Sequence, residues 1–273
     1  MTRRSVVVLD LDGTLVDERD TVDRAFLAAG RAVRRMTGVD ALRFARTARV
    51  TAQRLWWKAT WIDPLSDAFG LSAWDGLSED FRGAVPELDR LRAWLPDFRR
   101  AAWRLTLDAV GVADPGAAEA AGAAYAEHRH RDVRLLAGAA VLVERLVAEE
   151  RRLVVLTNGP GDGQRRKVER AGLLAHVRDV VVSTEVGFAK PDPRAVALAV
   201  ARAGGRCEEA VMVGDTYDRD VLGALACEVP VVWIAGPAPV ALPAHPLVAP
   251  VRSTEEVLSA LYAVDGVRAR PTG

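Results

Sequence analysis

Two aspartates separated by one residue, Asp10 and Asp12, follow directly on the apolar run Val6, Val7, Val8 and Leu9 in the stretch S-V-V-V-L-D-L-D-G-T-L-V. A continuous β-branched run reads as a strand buried on both faces. The acids therefore stand at its carboxyl end, where open α/β sheets hold their ligands. Carboxylates on alternate positions there point into one crevice, and they repel each other unless a cation lies between them or one keeps a proton. Two solvated turn aspartates are the plainer alternative. Three further segments carry polar groups at comparable points. Thr157 and Asn158 end a run in V-V-L-T-N-G, Lys190 lies in F-A-K-P-D, and Asp215 lies in M-V-G-D-T-Y-D-R-D, followed by Asp218 and Asp220.

The elements that must position these groups alternate regularly after Asp132. Strands are expected at 153–156, 179–183, 210–213 and 230–234, with a short one near Val248. Helices are expected at 139–150, 163–171, 193–203, 218–226 and 254–264. That alternation predicts an α/β fold with a doubly wound parallel sheet, which brings all four polar strand ends to one edge. Between Asp17 and Asp132 the pattern changes. Segments 22–36, 42–60, 88–110 and 116–130 carry apolar residues at helical spacing, divided by breakers such as Pro64, Gly70, Gly83 and Pro115. Six of the seven tryptophans fall in this region, and packing is the expected role of each. The expected organisation is a core of residues 1–17 and 132–264, an inserted all-α cap domain at 18–131, and a disordered tail at 265–273.

Composition narrows the partners. Lys+Arg and Asp+Glu each number 37, so the net charge is zero and no electrostatic grip on nucleic acid or an anionic membrane is expected. Lysine occurs only at Lys58, Lys167 and Lys190, which makes each one easy to weigh. Cys207 and Cys227 lack metal-ligand spacing and read as reduced structural thiols. The opening M-T-R-R lacks the apolar core of a leader, and no apolar run approaches the ~18 residues of a membrane span, so a soluble cytoplasmic protein is expected. No oligomeric state follows from the sequence.

Taken together, the four segments resemble the haloacid dehalogenase (HAD) superfamily. D-L-D-G-T-L-V is similar to its first motif, Thr157 to its second, Lys190 to its third and G-D-T-Y-D-R-D to its fourth. The insertion lies where one subclass carries its helical cap, between the first and second motifs. The resemblance implies a Rossmann-like core and phosphoryl-transfer chemistry. It implies Asp10 as nucleophile forming an aspartyl-phosphate, and Asp12 as general acid and base. Mg²⁺ would be held by Asp10, the main-chain carbonyl of Asp12, and Asp215. Thr157, Asn158 and Lys190 would bind the phosphoryl oxygens, and Asp220 would orient Lys190 or metal-bound water. Arg219 departs from the family pattern, which commonly has Asn there. Asp218 reads as a helix N-terminal acid. The four histidines match no motif.

Within the superfamily the second acid discriminates, because a halide leaving group needs no proton whereas an alkoxide does. Asp12 thus points to a phosphomonoester hydrolase acting on a small phosphorylated metabolite. The run T-N-G-P-G-D-G-Q-R-R-K-V is similar to the branch containing pyrimidine nucleotidases and acylneuraminate-phosphate phosphatases, so a sugar phosphate or nucleotide is expected. The alternatives are a phosphomutase, a 2-haloacid dehalogenase, or a catalytically silent phosphate-binding scaffold. Cap movement would be taken up near 17–21 and 131–134, the two ends of the insertion.

Overall fold

The computed structural model describes residues 4–83, 85–236 and 245–266. The first apolar run forms strand β1 (Val6–Leu9), entirely buried. Its odd and even residues face opposite sides, as strand geometry requires. Val7 and Leu9 pack into one apolar cluster with Leu142, Leu146, Val257 and Leu261, and Val6 and Val8 into another with Val196, Val200 and Ala224. A helical insertion follows, with helices α1 (Glu18–Thr37), α2 (Ala41–Lys58), α3 (Asp63–Phe69), α4 (Ala73–Ser78), α5 (Leu88–Val110) and α6 (Pro115–Arg131). The chain then runs through α7 (Ala139–Ala148), β2 (Arg152–Thr157), α8 (Gly161–Arg170), β3 (Val180–Val182), α9 (Ser183–Val186) and α10 (Pro193–Arg202). It closes with β4 (Ala210–Gly214), α11 (Leu222–Leu225), β5 (Val231–Ile234), β6 (Val248–Val251) and α12 (Val257–Asp265).

The six strands form one parallel sheet in the order β3-β2-β1-β4-β5-β6. This is the doubly wound α/β architecture expected from the alternation. Val6–Leu9 pairs with Arg152–Val155 on one side and Ala210–Val213 on the other. The strand order reverses at β1, and the crevice of such a sheet opens at that point.

The insertion is all-helical and has its own apolar interior, drawn from residues between Val22 and Tyr125. Trp56 and Trp103 are buried in it, and Trp61, Trp74 and Trp94 pack against it. Trp57 is 47 % exposed and departs from the packing role expected of it. Residues 60–78, read from the sequence only as a region of breakers, carry a short 3₁₀ turn with α3 and α4. Pro64 lies in the first turn of α3 and Gly70 caps its end in the left-handed conformation, so both breakers mark the limits of a short helix. The two connections to the core run side by side, with Asp17 N donating to Arg134 O (2.9 Å) and Leu136 N to Leu15 O (2.8 Å).

Two further expectations need correction. The helix expected at 218–226 begins as one π-helical turn, Tyr217–Val221, before α11. Such wide turns recur at functional sites, and this one keeps Asp220 buried. The tail was expected to be disordered from Asp265, yet Asp265 ends α12 and accepts from Arg4 N (3.0 Å) and Arg151 Nη2 (2.7 Å). A charged end of this kind is ordered by its partners rather than by apolar content. The rest of the tail, 267–273, and residues 237–244, ahead of the strand expected near Val248, lie outside the described residues. Cys207 and Cys227 are free thiols. No helix among the described residues is long and apolar enough to cross a membrane.

Trp56 is fully buried, donates to Ser66 Oγ at 3.0 Å, and meets Phe98 edge-on with ring centroids 5.5 Å apart. Trp56→Ala should cost about 3–5 kcal/mol of stability in urea denaturation. Trp57→Ala, at the exposed neighbour, should stay within about 0.5 kcal/mol of the parent.

Candidate active site

The carboxyl edge of the sheet brings the polar strand ends together. Asp10 extends β1 by one residue, its main-chain N–H donating to Val213 O (2.9 Å), and is 6 % exposed. Gly13 takes a left-handed φ of 84°, and Asp215 packs directly on it: a Cβ there would lie 2.2 Å from Asp215 Oδ2. Asp10, Asp215 and Asp220 each offer an oxygen within 4.8 Å of the others. Lys190 Nζ donates to Asp10 and, at 2.6 Å, to Asp220 Oδ1. One ammonium thus pairs with two of the three carboxylates. Burial pushes the Asp10 carboxyl up to about 8, opposed by Lys190 and reinforced by Asp220 and Asp215. Burial and Asp220 raise Asp215 to about 6. Burial alone would lower the Lys190 ammonium, but Asp10 and Asp220 hold it above its ordinary range. A divalent cation among hard oxygen donors would relieve this repulsion.

The phosphate-binding candidates stand beside this cluster. Thr157 ends β2, and Asn158 ties that end to the next loop. Its Nδ2 donates to Lys190 O (2.9 Å), and its Oδ1 accepts from Lys190 N (3.0 Å). The Lys190–Pro191 peptide is cis. Ser183, at the start of α9, accepts from Gly159 N at 3.0 Å.

Asp12 does not join the carboxylate cluster. Its side chain turns to α8, where Lys167 Nζ donates to both carboxylate oxygens at 2.9 Å and Gln164 Nε2 to Oδ2 at 2.8 Å. Gln164 also donates to Thr157 Oγ1 and to Asn158 O. The sequence reading assigned no role to Lys167 or Gln164. Two signals were available: lysine is rare in this chain, and an i,i+3 pair near the start of α8 shares one helix face. Lys167 also pairs with Glu18 of α1 at 3.0 Å, and Glu18 and Asp75 both pair with Arg129 of α6, at 2.9 and 3.2 Å. Burial works against the charges of Glu18 and Arg129, yet their partners hold the first below and the second above its usual range. Burial raises Asp75 to about 6, despite Lys167 and Arg129.

The cavity between insertion and core has a volume of about 220 Å³. Asp10, Asp12, Thr157, Asn158 and Lys190 line it from the core, and Glu18, Gly70, Ser72, Trp74 and Asp75 from the insertion. Trp74 therefore both packs and faces the cavity. Lys58 is exposed at the end of α2 and takes no part in the lining. A wider groove of about 720 Å³ lies between α5 and α6 and contains none of the charged groups above. The seam is closed by Glu79, which accepts from Arg166 and lies 3.3 Å from His130 Nε2, and by Asp162, which accepts from Asp80 N at 2.8 Å.

Several known proteins are similar to this chain. The family model for haloacid dehalogenase-like hydrolases matches residues 5–228. A phosphoserine phosphatase from Thermus thermophilus is 38 % identical over 84 % of this chain and 88 % of its own length. A ribulose-1,5-bisphosphate 5-phosphatase from Halopiger xanaduensis is 36 % identical over 42 % of this chain and 48 % of its own. Among solved structures, a 2-haloacid dehalogenase from Pseudomonas syringae aligns with a TM-score of 0.54 at 21 % identity, covering 96 % of this chain and 99 % of that one. At that identity the likeness speaks to the fold alone.

Burial would raise the Glu79 carboxyl, but His130, Arg166 and Arg129 override it and hold the group at about 2, against an ordinary 4.5. A depressed folded-state value stabilises the protein above the ordinary value, and that contribution disappears as pH falls through the depressed one. Glu79→Gln should therefore lower stability by about 3 kcal/mol at neutral pH. Urea midpoints of parent and variant should converge as pH drops from 4.5 towards about 2. A gap that stays constant with pH would contradict the assignment.

Proposed function

The chain belongs to the haloacid dehalogenase-like hydrolases and is a phosphatase of that family, and on that premise we propose that it hydrolyses a small phosphomonoester with Mg²⁺, through an aspartyl-phosphate on Asp10. The observation that carries this reading is the difference in surroundings between the two acids. Asp10 is buried against Lys190 and two further carboxylates, whereas Asp12 is held apart by Lys167 and Gln164. Two acids in such different surroundings suit two different roles. A halide leaving group would have no use for the second.

The donor set fits a hard divalent ion, since three carboxylates converge within 4.8 Å. Asp10 and Asp215 would hold it with the main-chain carbonyl of Asp12, while Asp220 keeps Lys190 in place. Bound there, Mg²⁺ supplies the positive charge that lets an anionic carboxylate meet an anionic phosphate. An Asp10 oxygen forms a bond to phosphorus as the ester oxygen leaves. Asp12 gives that oxygen its proton, then takes one from the water that attacks the phosphorus and frees Asp10. Lys167 and Gln164 fix the orientation of Asp12 throughout. The Thr157 hydroxyl, the main-chain N–H of Asn158 and the Lys190 ammonium bind the phosphoryl oxygens.

The cavity of about 220 Å³ is below the ~300–1,000 Å³ of drug-sized ligand sites. That favours a metabolite of few carbons over the nucleotide that remained open from the sequence. O-Phosphoserine, the substrate named for the Thermus relative, heads the candidates. A cytoplasmic site of action belongs to the same reading.

Phosphate release from O-phosphoserine, phosphoglycolate, glycerol phosphates, sugar phosphates and nucleotides, with Mg²⁺ or chelator, tests it. Release should need Mg²⁺ and fall by roughly 10⁴-fold in Asp10→Asn. Undiminished release in chelator or in the variant would overturn the mechanism. Lys167→Met should lower kcat by roughly 10–100-fold with little change in KM, because it disturbs the orientation of Asp12 and not the phosphate cradle.

A further inference from the structure

Most charged groups lining the catalytic cavity are already paired. Lys190 is shared by Asp10 and Asp220, Lys167 by Asp12 and Glu18, and Asp75 is paired with Arg129. Arg219 is different. It lines the same cavity, is half-buried, and its guanidinium has no hydrogen bond, ion pair or ring contact with the described residues. The π-helical turn that buries Asp220 leaves the preceding side chain facing the cavity. Gly70 makes room for it: at a left-handed φ of 71°, a Cβ would lie 2.8 Å from Arg219 Nη1 and 2.7 Å from Asn158 Cβ. The guanidinium thus lies against the end of α3, where Asn158 of the phosphate cradle also approaches Gly70, and it makes no ion pair with the carboxylate cluster.

Resting on the phosphatase reading of this cavity, we infer that Arg219 binds a second anionic group, a carboxylate or a second phosphate, carried by the leaving group of the substrate. A cation left partially desolvated and unpartnered is costly unless a ligand supplies the opposite charge. A guanidinium offers a planar fork of donors that suits such oxygen anions. The substrate class is therefore an anionic phosphomonoester, a phosphorylated hydroxy acid or a small bisphosphate, in preference to a neutral polyol phosphate.

The test is the binding of non-hydrolysed phosphonates in Mg²⁺, by calorimetry on the full chain, so that it does not depend on turnover. The probes are 3-phosphonopropionate, propane-1,3-diphosphonate and propylphosphonate, which lacks the second anion. The parent should bind one or both of the probes that carry a second anion about 10–100-fold more tightly than propylphosphonate. Arg219→Gln should abolish that preference while leaving propylphosphonate affinity within about threefold, and Arg219→Lys should restore part of it. Which probe gains more identifies the anion. No preference in the parent, a preference retained in Arg219→Gln, or equal weakening for all three probes would overturn the assignment. A preference that follows Arg219 in a protein releasing no phosphate would sink the catalytic reading and not this one. Phosphate release without any preference would do the reverse.

Discussion

Three carboxylates converge at the carboxyl edge of the central strand, where one ammonium pairs with only two of them, Asp10 and Asp220, and the rest of the molecule is arranged around that imbalance. Like charges at this spacing are expensive in a low-dielectric site. Burial first, and the neighbouring carboxylates after it, raise the values of Asp10 and Asp215. The cost is tolerated because β1 is hydrogen-bonded on both sides and covered by apolar clusters on both faces, so the strand end has nowhere to relax. The left-handed turn at Gly13 and the wide turn at Tyr217–Val221 bring Asp215 and Asp220 within reach from the neighbouring strand. The same imbalance makes the edge receptive to a divalent cation and, through it, to a phosphate.

A second charge network ties the insertion to this edge. Lys167, on the core helix after β2, joins Asp12 to Glu18 at the first turn of the insertion, and Arg129 in its last helix joins Glu18 to Asp75. The position of Asp12 is therefore mechanically linked to the place where the cap begins and ends. Any movement of the cap relative to the core has to break or carry these pairs, whose partners are largely removed from water and hence costly to separate singly.

The strand ends were legible because the signals are local. Short β-branched runs ending in Asp10, Thr157 and Asp215 name their own strands, and regular alternation dictates a parallel sheet that must gather them. Lys167 was not legible in the same way, since its contact with Asp12 spans 155 residues and depends on how α8 leaves the edge. Glu18, Asp75 and Arg129 lie in an insertion whose helices could be read, but whose mutual packing is set by tertiary contacts that no periodicity encodes. Abundant arginine also hid Arg129 among many surface residues of the same type, whereas Arg219 stood out only as a departure from a motif and not as a group facing the cavity. Asp265 fell into an apparently polar tail because the arginines that order it lie more than a hundred residues away.

The central claim is that Asp10 carries the phosphoryl group. The most direct measurement is a single-turnover reaction with O-phosphoserine or another released substrate in Mg²⁺, quenched and treated with borohydride, which reduces an acyl phosphate at aspartate to homoserine. Peptide mass spectrometry should find homoserine at position 10 only when substrate and Mg²⁺ are both present, and never at position 12. Unmodified Asp10 during sustained phosphate release, or trapping at any other residue, would contradict the account.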